Sequence, residues 1–519
     1  MPGPTDMEHV TADLVVVGAG AAGLLAAAAA RRLGDEVIIV ESSRRAGGTA
    51  TEGNGLAWLP GNRLAAKGSA PDSTEEVEQY LASVLGEPGD EQLAARRAAF
   101  VRTAPKVSRW LVSSHVPLHA AKTIGDDHLD LPGAKTGGRV VQSGPIDRRV
   151  LGETEAALVR TSGVVREALS WLPLPRNTAT GGESLVAHLL HRAVANGVSL
   201  WLESTITSLI TDSDRVTGVT VDRDGVPTQI TAGRVLLASG GFAADQALRE
   251  EYLPLPTDAT WTTAAAGNHG ELLKLATGIG AATTNLSAAW WMPVMISEGR
   301  ASSVRTALDG PHSMLVDAAG DRYIDETRSD DDLGQLMYDH SRGVRAVPSF
   351  LIMDNRHRAS TPLGPWAPGS TPRRAIEDGE ITRANTLNDL AQATGLDRAG
   401  LLGSVVRFNN FAAKGTDSDF HRGRPEATGK AKRRNPSLGK IDKPPFWAVK
   451  VYPGDAGTKG GLVTDASARV LRADGSTIGG LYACPGTAAS IFATGSPSVG
   501  ASLGESLVAA FLAVTDQRS

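Results

Sequence analysis

The fold is decided by residues 13–41, which read DLVVVGAGAAGLLAAAAARRLGDEVIIVE. Leu14–Val17 is an apolar run typical of a buried parallel strand, and Val37–Val40 is a second run of the same kind. Between them, the Ala-rich run Leu24–Ala30 predicts a helix that is too short to span a membrane. Strand, helix and strand in this order predict a βαβ unit, and therefore an α/β fold with a parallel sheet.

The turn between the first strand and the helix has the pattern G-x-G-x-x-G, formed by Gly18, Gly20 and Gly23. Gly18 allows the tight turn, Gly20 lets the backbone approach a pyrophosphate, and Gly23 lets the helix pack closely on the sheet. The helix N-terminus offers free N–H groups to the phosphates. Glu41, at the end of the second strand, is placed to accept the ribose hydroxyls of an adenosine, and an acid there argues against the 2′-phosphate of NADP. We therefore interpret the unit as a dinucleotide-binding site rather than a glycine-rich turn without a ligand.

The composition is that of an ordinary globular protein of 519 residues, long enough for two or more domains. The net charge of −5 provides no basic surface for nucleic acid or an anionic membrane. A single cysteine, Cys484, excludes an internal disulfide, and the N-terminus lacks the features of a signal peptide. These observations predict a cytoplasmic protein without a transmembrane segment. No Ser-His-Asp order, C-x-x-C, H-E-x-x-H or P-loop pattern occurs, so hydrolase, metal-site and ATPase functions lack support.

A change of composition near residue 270 predicts a domain inserted into the dinucleotide-binding domain. Residues 1–268 contain the βαβ unit and a later strand that ends in Gly240–Gly241. Residues 269–447 contain a Trp-Trp pair, a charged stretch and Pro-rich turns, whereas residues 448–519 return to Gly-rich loops and a last helix. We predict that the first and third segments form one discontinuous domain, and that the second is an α+β substrate-binding and catalytic domain.

Periodic apolar residues predict further helices and strands around these segments. The predicted helices are 73–84 and 90–112, with Asp72 and Asp90 as their N-caps, 183–196, and 501–514. The predicted strands are 199–203, 205–211, 216–222, 229–232 and 234–238.

Several separated motifs resemble one flavoprotein superfamily. They are GAGAAG at 18–23, ESSRRAGGT at 41–49, LPGAKTGGR at 131–139, ASGGF at 238–242 and IDKPPFWAVKVYPGDAGTKGGL at 441–462. They resemble the fumarate reductase/succinate dehydrogenase flavoproteins and, within these, the 3-ketosteroid (Δ1) dehydrogenases. The resemblance implies non-covalently bound FAD, a Rossmann-like FAD-binding domain (GR2-type) interrupted by a catalytic domain, and an active site between the two. No second G-x-G-x-x-G is present for a nicotinamide.

The expected FAD-binding residues lie in the glycine motif and in the matching segments near residues 41–49, 238–241, 483 and 498–504. The last of these precedes a predicted helix and is expected to direct N–H groups at the flavin pyrimidine. The set comprises Gly18, Gly20, Ala21, Ala22, Gly23, Glu41, Ser42, Gly47, Gly48, Thr49, Ala238, Gly240, Gly241, Ala483, Ser502 and Leu503.

The chain departs from the resembling desaturases at the tyrosines that these enzymes use for catalysis. Asp330, Ser496 and the stretch 125–128 occupy their positions, whereas Gly500 matches the backbone N–H donor to the substrate carbonyl. One interpretation is a site rebuilt for another substrate, in which Asp330 or His128 is the base and Ser496 and the Gly500 N–H bind a carbonyl. The other is that catalysis uses different residues, or that activity is lost.

Two aromatic segments contribute the expected substrate pocket. They provide Trp58 and Asn62 of WLPGN, together with Trp290 and Trp291, for which packing is the alternative role. The acidic residues 331 and 332 are expected to be a solvated charge run.

The sequence thus predicts an FAD-dependent dehydrogenase that introduces a C=C bond next to a ketone in a hydrophobic cyclic substrate. An enone or fumarate-type reductase running in reverse is the first alternative, with Arg328 and Arg342 as candidate proton donors or carboxylate ligands. A flavin-binding protein without redox catalysis is the second. The substrate, the external electron acceptor or donor and the oligomeric state stay open.

Overall fold

A computed structural model describes residues 8–64, 72–152, 155, 158–159, 177–423, 435–493 and 495–515. The strands, in chain order, are β1 (Glu8–Val17), β2 (Val37–Val40), β3 (Leu56–Trp58), β4 (Leu118–Ala120), β5 (Val140–Ser143), β6 (Ile146–Asp147), β7 (Thr178–Ala179), β8 (Ser199–Trp201), β9 (Ser204–Asp212), β10 (Arg215–Arg223), β11 (Val226–Leu237), β12 (Thr283–Thr284), β13 (Ala289–Ser297), β14 (Arg300–Ser303), β15 (Ser313–Val316), β16 (Ser349–Met353), β17 (Ile381–Ala384), β18 (Phe446–Thr458), β19 (Gly461–Leu462), β20 (Arg469–Leu471) and β21 (Thr477–Ala483).

The helices alternate with these strands. In chain order they are α1 (Ala21–Arg32), α2 (Thr74–Leu85), α3 (Glu91–Ser113), α4 (Gly181–Ala195), α5 (Gln246–Tyr252), α6 (Glu271–Gly278), α7 (Arg305–Asp309), α8 (Asp330–Ser341), α9 (Asn355–Ser360), α10 (Arg373–Glu377), α11 (Leu387–Thr394), α12 (Arg398–Lys414) and α13 (Ala501–Thr515). Short 3-10 turns occupy Gly48–Glu52, Arg148–Leu151 and Ala259–Trp261. None of the helices in the described residues is long and apolar enough to cross a bilayer.

The first sheet has eight strands in the order β20-β21-β10-β11-β1-β2-β8, with β9 on β10. At its centre β1 runs parallel to both β2 and β11, as the βαβ pattern predicts. Leu14–Val17 and Val37–Val40 are buried on both faces of the sheet: one face packs in a cluster with α1, and the other packs in a cluster with side chains of β9 and β10. Helix α1 packs on this sheet through alanines with almost no exposed surface. The sheet combines strands from both ends of the chain, β1 and β2 near its start and β20 and β21 near its end.

The second sheet has six strands, in the order β14-β13-β18-β16-β15 with β17 on β18. Its core lies between residues 289 and 458, and α8 packs against β13 and β18. Strand β18 runs through the predicted boundary at 447/448 as far as Thr458, so this sheet extends beyond the segment assigned to it from composition.

The local predictions differ from the structure at two places. Ser73, not Asp72, caps α2: its hydroxyl accepts the Glu76 N–H at 3.2 Å, in a capping box. The strands predicted at 229–232 and 234–238 are a single strand, β11, because Gly233 continues the extended backbone. Asp90 caps α3 as predicted, accepting the Leu93 N–H at 2.6 Å.

Candidate active site

The glycine motif forms a cradle at the carboxyl end of β1. Gly18 has φ +107°, and a Cβ there would lie 2.5 Å from the Ala238 carbonyl oxygen, so only glycine fits. Beside Gly20 the nearest atom to such a Cβ is 3.9 Å away, on Gly47. The space next to Gly20 is therefore open at the N-terminus of α1, whose N-cap has no side-chain hydrogen bond. This is the arrangement that a dinucleotide pyrophosphate needs, and Ala21 and Ala22 supply the adjoining backbone N–H groups.

Glu41 is held rigidly at the end of β2. Its carboxylate accepts the Ala19 N–H at 2.8 Å, the Ser43 N–H at 2.9 Å and the Ser43 hydroxyl at 2.7 Å. Ser42 follows it in the same turn. A carboxylate fixed beside the phosphate cradle fits the ribose contact expected from the sequence.

The segment 47–49 meets the strand end at 238–241 through one amide. Thr49 Oγ1 accepts the Ala265 N–H at 3.0 Å and an Asn268 side-chain N–H at 3.2 Å, while Asn268 Oδ1 accepts the Gly241 N–H at 3.0 Å. Gly47 and Gly48 directly precede Thr49 in this segment, and Ala238 and Gly240 precede Gly241 at the strand end. Parallel pairing of β11 with β21 sets Ala483 beside Leu237. The FAD-binding candidates from four separate parts of the sequence thus converge on one side of the first sheet.

The segment 495–503 leads into the N-terminus of α13. Gly500 has φ +84°, and a Cβ there would lie 2.6 Å from the Leu56 carbonyl oxygen. Its carbonyl accepts the N–H groups of Trp58 and Gly504, each at 2.9 Å. Among the described residues, no partner is found for the N–H groups of Gly500, Ser502 and Leu503. A row of free N–H groups at a helix N-terminus attracts developing negative charge on a ligand.

An acid that was not singled out in the sequence, Asp127, lies against this segment. The Ser496 hydroxyl is 3.3 Å from Asp127 Oδ2, and the Val499 N–H also donates to the carboxylate. The Asp127 N–H donates to the Pro497 carbonyl at 3.1 Å, which fixes the loop. Burial, reinforced by the negative charge of Asp330, raises the pKa of Asp127 to about 7. Ser496 itself is 9% exposed.

Asp330 is the first residue of α8, whose N-cap is Ser329. Arg305 Nη1 lies 3.3 Å from its carboxylate, and the Asp330 side chain is 31% exposed. Burial raises the pKa of Asp330, although Arg305 opposes this shift. Asp330 and Ser496 are 166 residues apart in the sequence, yet Asp127 interacts with both.

His128 is also in this region, with its ring turned toward the backbone of the same segment. The ring Nε2 lies 3.1 Å from the Ser496 carbonyl oxygen, and the backbone N–H of His128 donates to the Tyr80 hydroxyl at 3.3 Å. The Tyr80 hydroxyl in turn donates to the Pro497 carbonyl at 2.6 Å. The ring and this phenol hold the two loops together.

A buried ionic network supports the Asp127 loop from behind. Arg139, 2% exposed, lies 2.6 Å from Asp126 and 2.8 Å from Asp72, and the Trp58 indole N–H donates to Asp126 at 2.9 Å. Asp72, predicted as an N-cap, is used by this long-range pair instead. The network fixes the position of Asp127, which is the next residue along the chain.

The predicted pocket residues have different environments. Trp58 is fully buried, and its ring stacks on Phe100 at 5.7 Å. The Asn62 side-chain amide donates to the carbonyls of Leu59 and Gly138 at 2.7 and 2.8 Å, so both predicted residues hold the backbone around the site.

The Trp290 ring is partly exposed and lies 4.5 Å from the Lys459 ammonium group. Trp291 is 6% exposed and lines a groove of about 640 Å³, whose wall also includes Tyr338 and Lys459. Of the four predicted pocket residues, Trp291 is the one that lines this groove.

A second ion pair contradicts an expectation from the sequence. Asp331, expected to be solvated, is 3% exposed and pairs with Lys459 at 2.8 Å. The Lys459 ammonium also donates to the Gly495 carbonyl at 2.6 Å. The sequence alone does not distinguish Asp331 from Asp332, because this requires knowing which face of helix α8 packs on the sheet.

Cys484 is buried, and burial raises the pKa of its thiol to about 12, so the thiol stays protonated.

Similarity to known proteins extends over nearly the whole chain. A protein-family model described as an FAD binding domain matches residues 13–503. The 3-oxosteroid 1-dehydrogenase of Mycobacterium tuberculosis is 30% identical to this chain, in an alignment of length 550 that covers 96% of this chain and 97% of that protein. The 4-oxocyclohexanecarboxylate 2-dehydrogenase of Sinomonas cyclohexanicum is 31% identical to this chain, in an alignment of length 551 that covers 97% of this chain and 92% of that protein.

Among solved structures, the 3-ketosteroid Δ1-dehydrogenase of Sterolibacterium denitrificans, in complex with 1,4-androstadiene-3,17-dione, is 33% identical to the chain. It superposes with a TM-score of 0.90, and the match covers 98% of this chain and 99% of that one.

Proposed function

Because this chain belongs to the FAD-binding flavoprotein family that includes 3-oxosteroid 1-dehydrogenase, and is therefore an FAD-dependent oxidoreductase, we propose that it introduces a C=C bond α,β to a ketone in a hydrophobic cyclic substrate. The reaction needs donors for the carbonyl oxygen, a base for the α-proton and an acceptor for the β-hydride. FAD, when bound, supplies the hydride acceptor.

One observation carries this proposal: Ser496, the Gly500 N–H and the Asp127 carboxyl group meet just before α13, and the charge of Asp330 acts on Asp127. The free Gly500 N–H is suited to hold a carbonyl oxygen as it gains negative charge. The Ser496 hydroxyl donates to Asp127 at 3.3 Å and would turn its single proton to the carbonyl oxygen as that carboxylate becomes protonated. Each such donor contributes about 3–4 kcal/mol to stabilisation of an oxyanion. Asp127 and Asp330 supply two carboxyl groups, one of which would act as the base for the α-proton.

The residues that would hold FAD fit it at both ends. The open space at Gly20 and the fixed Glu41 carboxylate suit the adenosine and pyrophosphate, and the first turn of α13 suits the flavin. We propose that FAD is bound without a covalent link, as in the sequence interpretation.

The proposed substrate class rests on two relatives. Their names describe action on a 3-oxosteroid and on 4-oxocyclohexanecarboxylate, both of which are cyclic ketones. For the reverse reaction, Arg328 and Arg342 are 54% and 84% exposed and pair with Asp332 and Asp339, so neither favours a reductase.

The test is anaerobic titration of the yellow holoenzyme with saturated 3-ketosteroids and with cyclohexanone derivatives. Loss of the flavin band near ~450 nm is the expected result, because a bound flavin that receives a hydride loses this absorption. The corresponding alcohols, which lack the carbonyl, are the control and should leave the band unchanged. If no ketone bleaches the band, although chemical reduction does, the dehydrogenase proposal fails. Reoxidation of the reduced enzyme by an enone would then indicate a reductase.

A further inference from the structure

We propose that Asp127 is the general base that takes the α-proton, and that Asp330, held by Arg305, is a positioning residue that tunes it. This inference rests on the proposed dehydrogenase function and names a residue in place of the family's catalytic tyrosine. It follows from the position of Asp127, from its lack of a cationic partner and from its neighbours.

The position follows from the shape of the reaction. A carbonyl oxygen and its α-carbon are two bonds apart, so the donor to the oxygen and the base for the α-proton must lie side by side. The Ser496 hydroxyl, the proposed carbonyl donor, is 3.3 Å from Asp127 Oδ2. The loop that carries Ser496 also carries Gly500, and it holds Asp127 through the Val499 N–H and the Pro497 carbonyl.

The second argument is that nothing neutralises Asp127. Among the described ion pairs, Asp126 is paired with Arg139 and Asp330 with Arg305, but Asp127 has no cationic partner. The His128 Nε2 lies against a backbone carbonyl. Asp127 is therefore the carboxylate in this cluster whose charge is available to a proton from a substrate.

The third argument is its proton affinity. The titratable groups that face Asp127 are its chain neighbours Asp126 and His128, Tyr80 of α2 and Asp330 of α8. The nearby cations are paired with other acids, Arg139 with Asp126 and Arg305 with Asp330. Burial and the negative charge of Asp330 raise the pKa of Asp127 to about 7. A base whose pKa is near the working pH is ionised often enough to act and basic enough to bind the proton.

The proposed step balances in charge and electrons. The α C–H bond breaks, its proton forms an O–H bond with Asp127, and its electron pair becomes the C=C bond of an enolate held by Ser496 and the Gly500 N–H. The enolate then re-forms the carbonyl and the new C=C bond, and the β-hydrogen would leave with its two electrons as a hydride, for which oxidised FAD, when bound, would be the acceptor. The substrate is oxidised, the flavin is reduced, and Asp127 releases its proton to water.

The first test measures anaerobic flavin reduction by a ketone substrate as a function of pH, for the holoenzyme and for D127N, D330N and D130N. In the unmodified enzyme the rate should rise with pH and level off above about pH 7, because the base must be ionised. In D127N the rate of flavin reduction should fall 10²–10⁴-fold, which is the usual contribution of a general base, and the rate should no longer show this pH dependence. D330N should shift the midpoint of the pH profile to lower pH, since a negative neighbour of Asp127 is removed, and at high pH its rate should fall far less than that of D127N. D130N, on an exposed residue of the same loop, is the matched control.

The second test separates this assignment from the direction of the overall reaction. Chemically reduced holoenzyme cannot take a hydride, so in D₂O it should only exchange the α-hydrogen of a bound ketone for deuterium, as followed by NMR. Exchange that is lost in D127N and kept in D130N supports Asp127, even if no ketone bleaches the oxidised flavin. Exchange at an unchanged rate in D127N, or its loss in D330N at every pH, overturns the assignment whatever the direction of the reaction.

Discussion

Asparagine in place of Asp331 is expected to destabilise the protein far more than asparagine in place of its neighbour Asp332. The Asp331 side chain is 3% exposed and lies 2.8 Å from Lys459, which is 1% exposed. The Asp332 side chain is 30% exposed, and its partner Arg328 is 3.9 Å away. The two substitutions remove the same charge from adjacent positions and differ in what they leave behind.

The size of the difference follows from burial. Removing one partner of a buried ion pair costs about 3–5 kcal/mol, because the other charge stays in the interior. Lys459 keeps its contacts with the Gly495 carbonyl and the Trp290 ring, which favours the lower end of this range. Loss of an exposed pair costs about 0–1 kcal/mol. We therefore expect D331N to be less stable than D332N by about 3 kcal/mol.

The assay is chemical denaturation of both variants at one fixed excess of FAD, since ligand concentration alone changes apparent stability. A pH series provides a second check. Burial lowers the pKa of Lys459 and Asp331 opposes this, so in D331N the pKa of Lys459 falls further below its unfolded value of about 10.5. The deficit should thus be largest at neutral pH and shrink as the pH approaches 10.5. Equal denaturation midpoints for D331N and D332N would refute the buried pair.

Three further outcomes are expected from positions with distinct geometry. G500A should slow flavin reduction at least ~10-fold and destabilise the protein, because the new Cβ would lie 2.6 Å from the Leu56 carbonyl oxygen. The control is G475A, at a glycine with the same φ of +84° but no atom within 4 Å, which should cost only about 1 kcal/mol of backbone strain. Stopped-flow flavin reduction and thermal melts compare the two variants. E41Q should weaken FAD binding about 10-fold through loss of a charge-assisted hydrogen bond, measured by recovery of free-flavin fluorescence on dilution; an unchanged affinity would remove Glu41 from the site. The Cys484 thiol should not react with a thiol reagent at pH 8 until the protein unfolds, since it is buried with a pKa raised to about 12, and stoichiometric labelling of the native protein would contradict this.

The nucleotide-binding half of the site was predictable because its determinants are local. Gly18, Gly20 and Gly23 are required by contacts within one βαβ unit, and the strand bounds follow from short apolar runs. The whole-chain similarity supports the family, FAD and the α/β fold that these residues indicated.

The acid cluster was only partly predictable because its members meet through loops. Asp330 and Ser496 are predicted from aligned positions in the resembling family; in the structure the Ser496 hydroxyl contacts Asp127, and the charge of Asp330 acts on Asp127. Asp127 has no periodic or spacing signal of its own. Only the contact with Ser496, 369 residues away, distinguishes it from Asp126, which faces Arg139 instead.

In the mechanism that we propose, charge balance would let carboxylates take the place of the tyrosines. Two ionised acids beside an enolate would oppose its formation, but transfer of the α-proton neutralises Asp127 in the same step that places negative charge on the substrate oxygen. The number of negative charges in the cluster is therefore constant, and the new charge moves toward the Gly500 N–H. Arg305 lies 3.3 Å from the Asp330 carboxylate and opposes the rise in the pKa of Asp330 that burial causes. A substrate with its own carboxylate near Asp127 would break this balance, so the arrangement favours a neutral ketone at the reacting carbon.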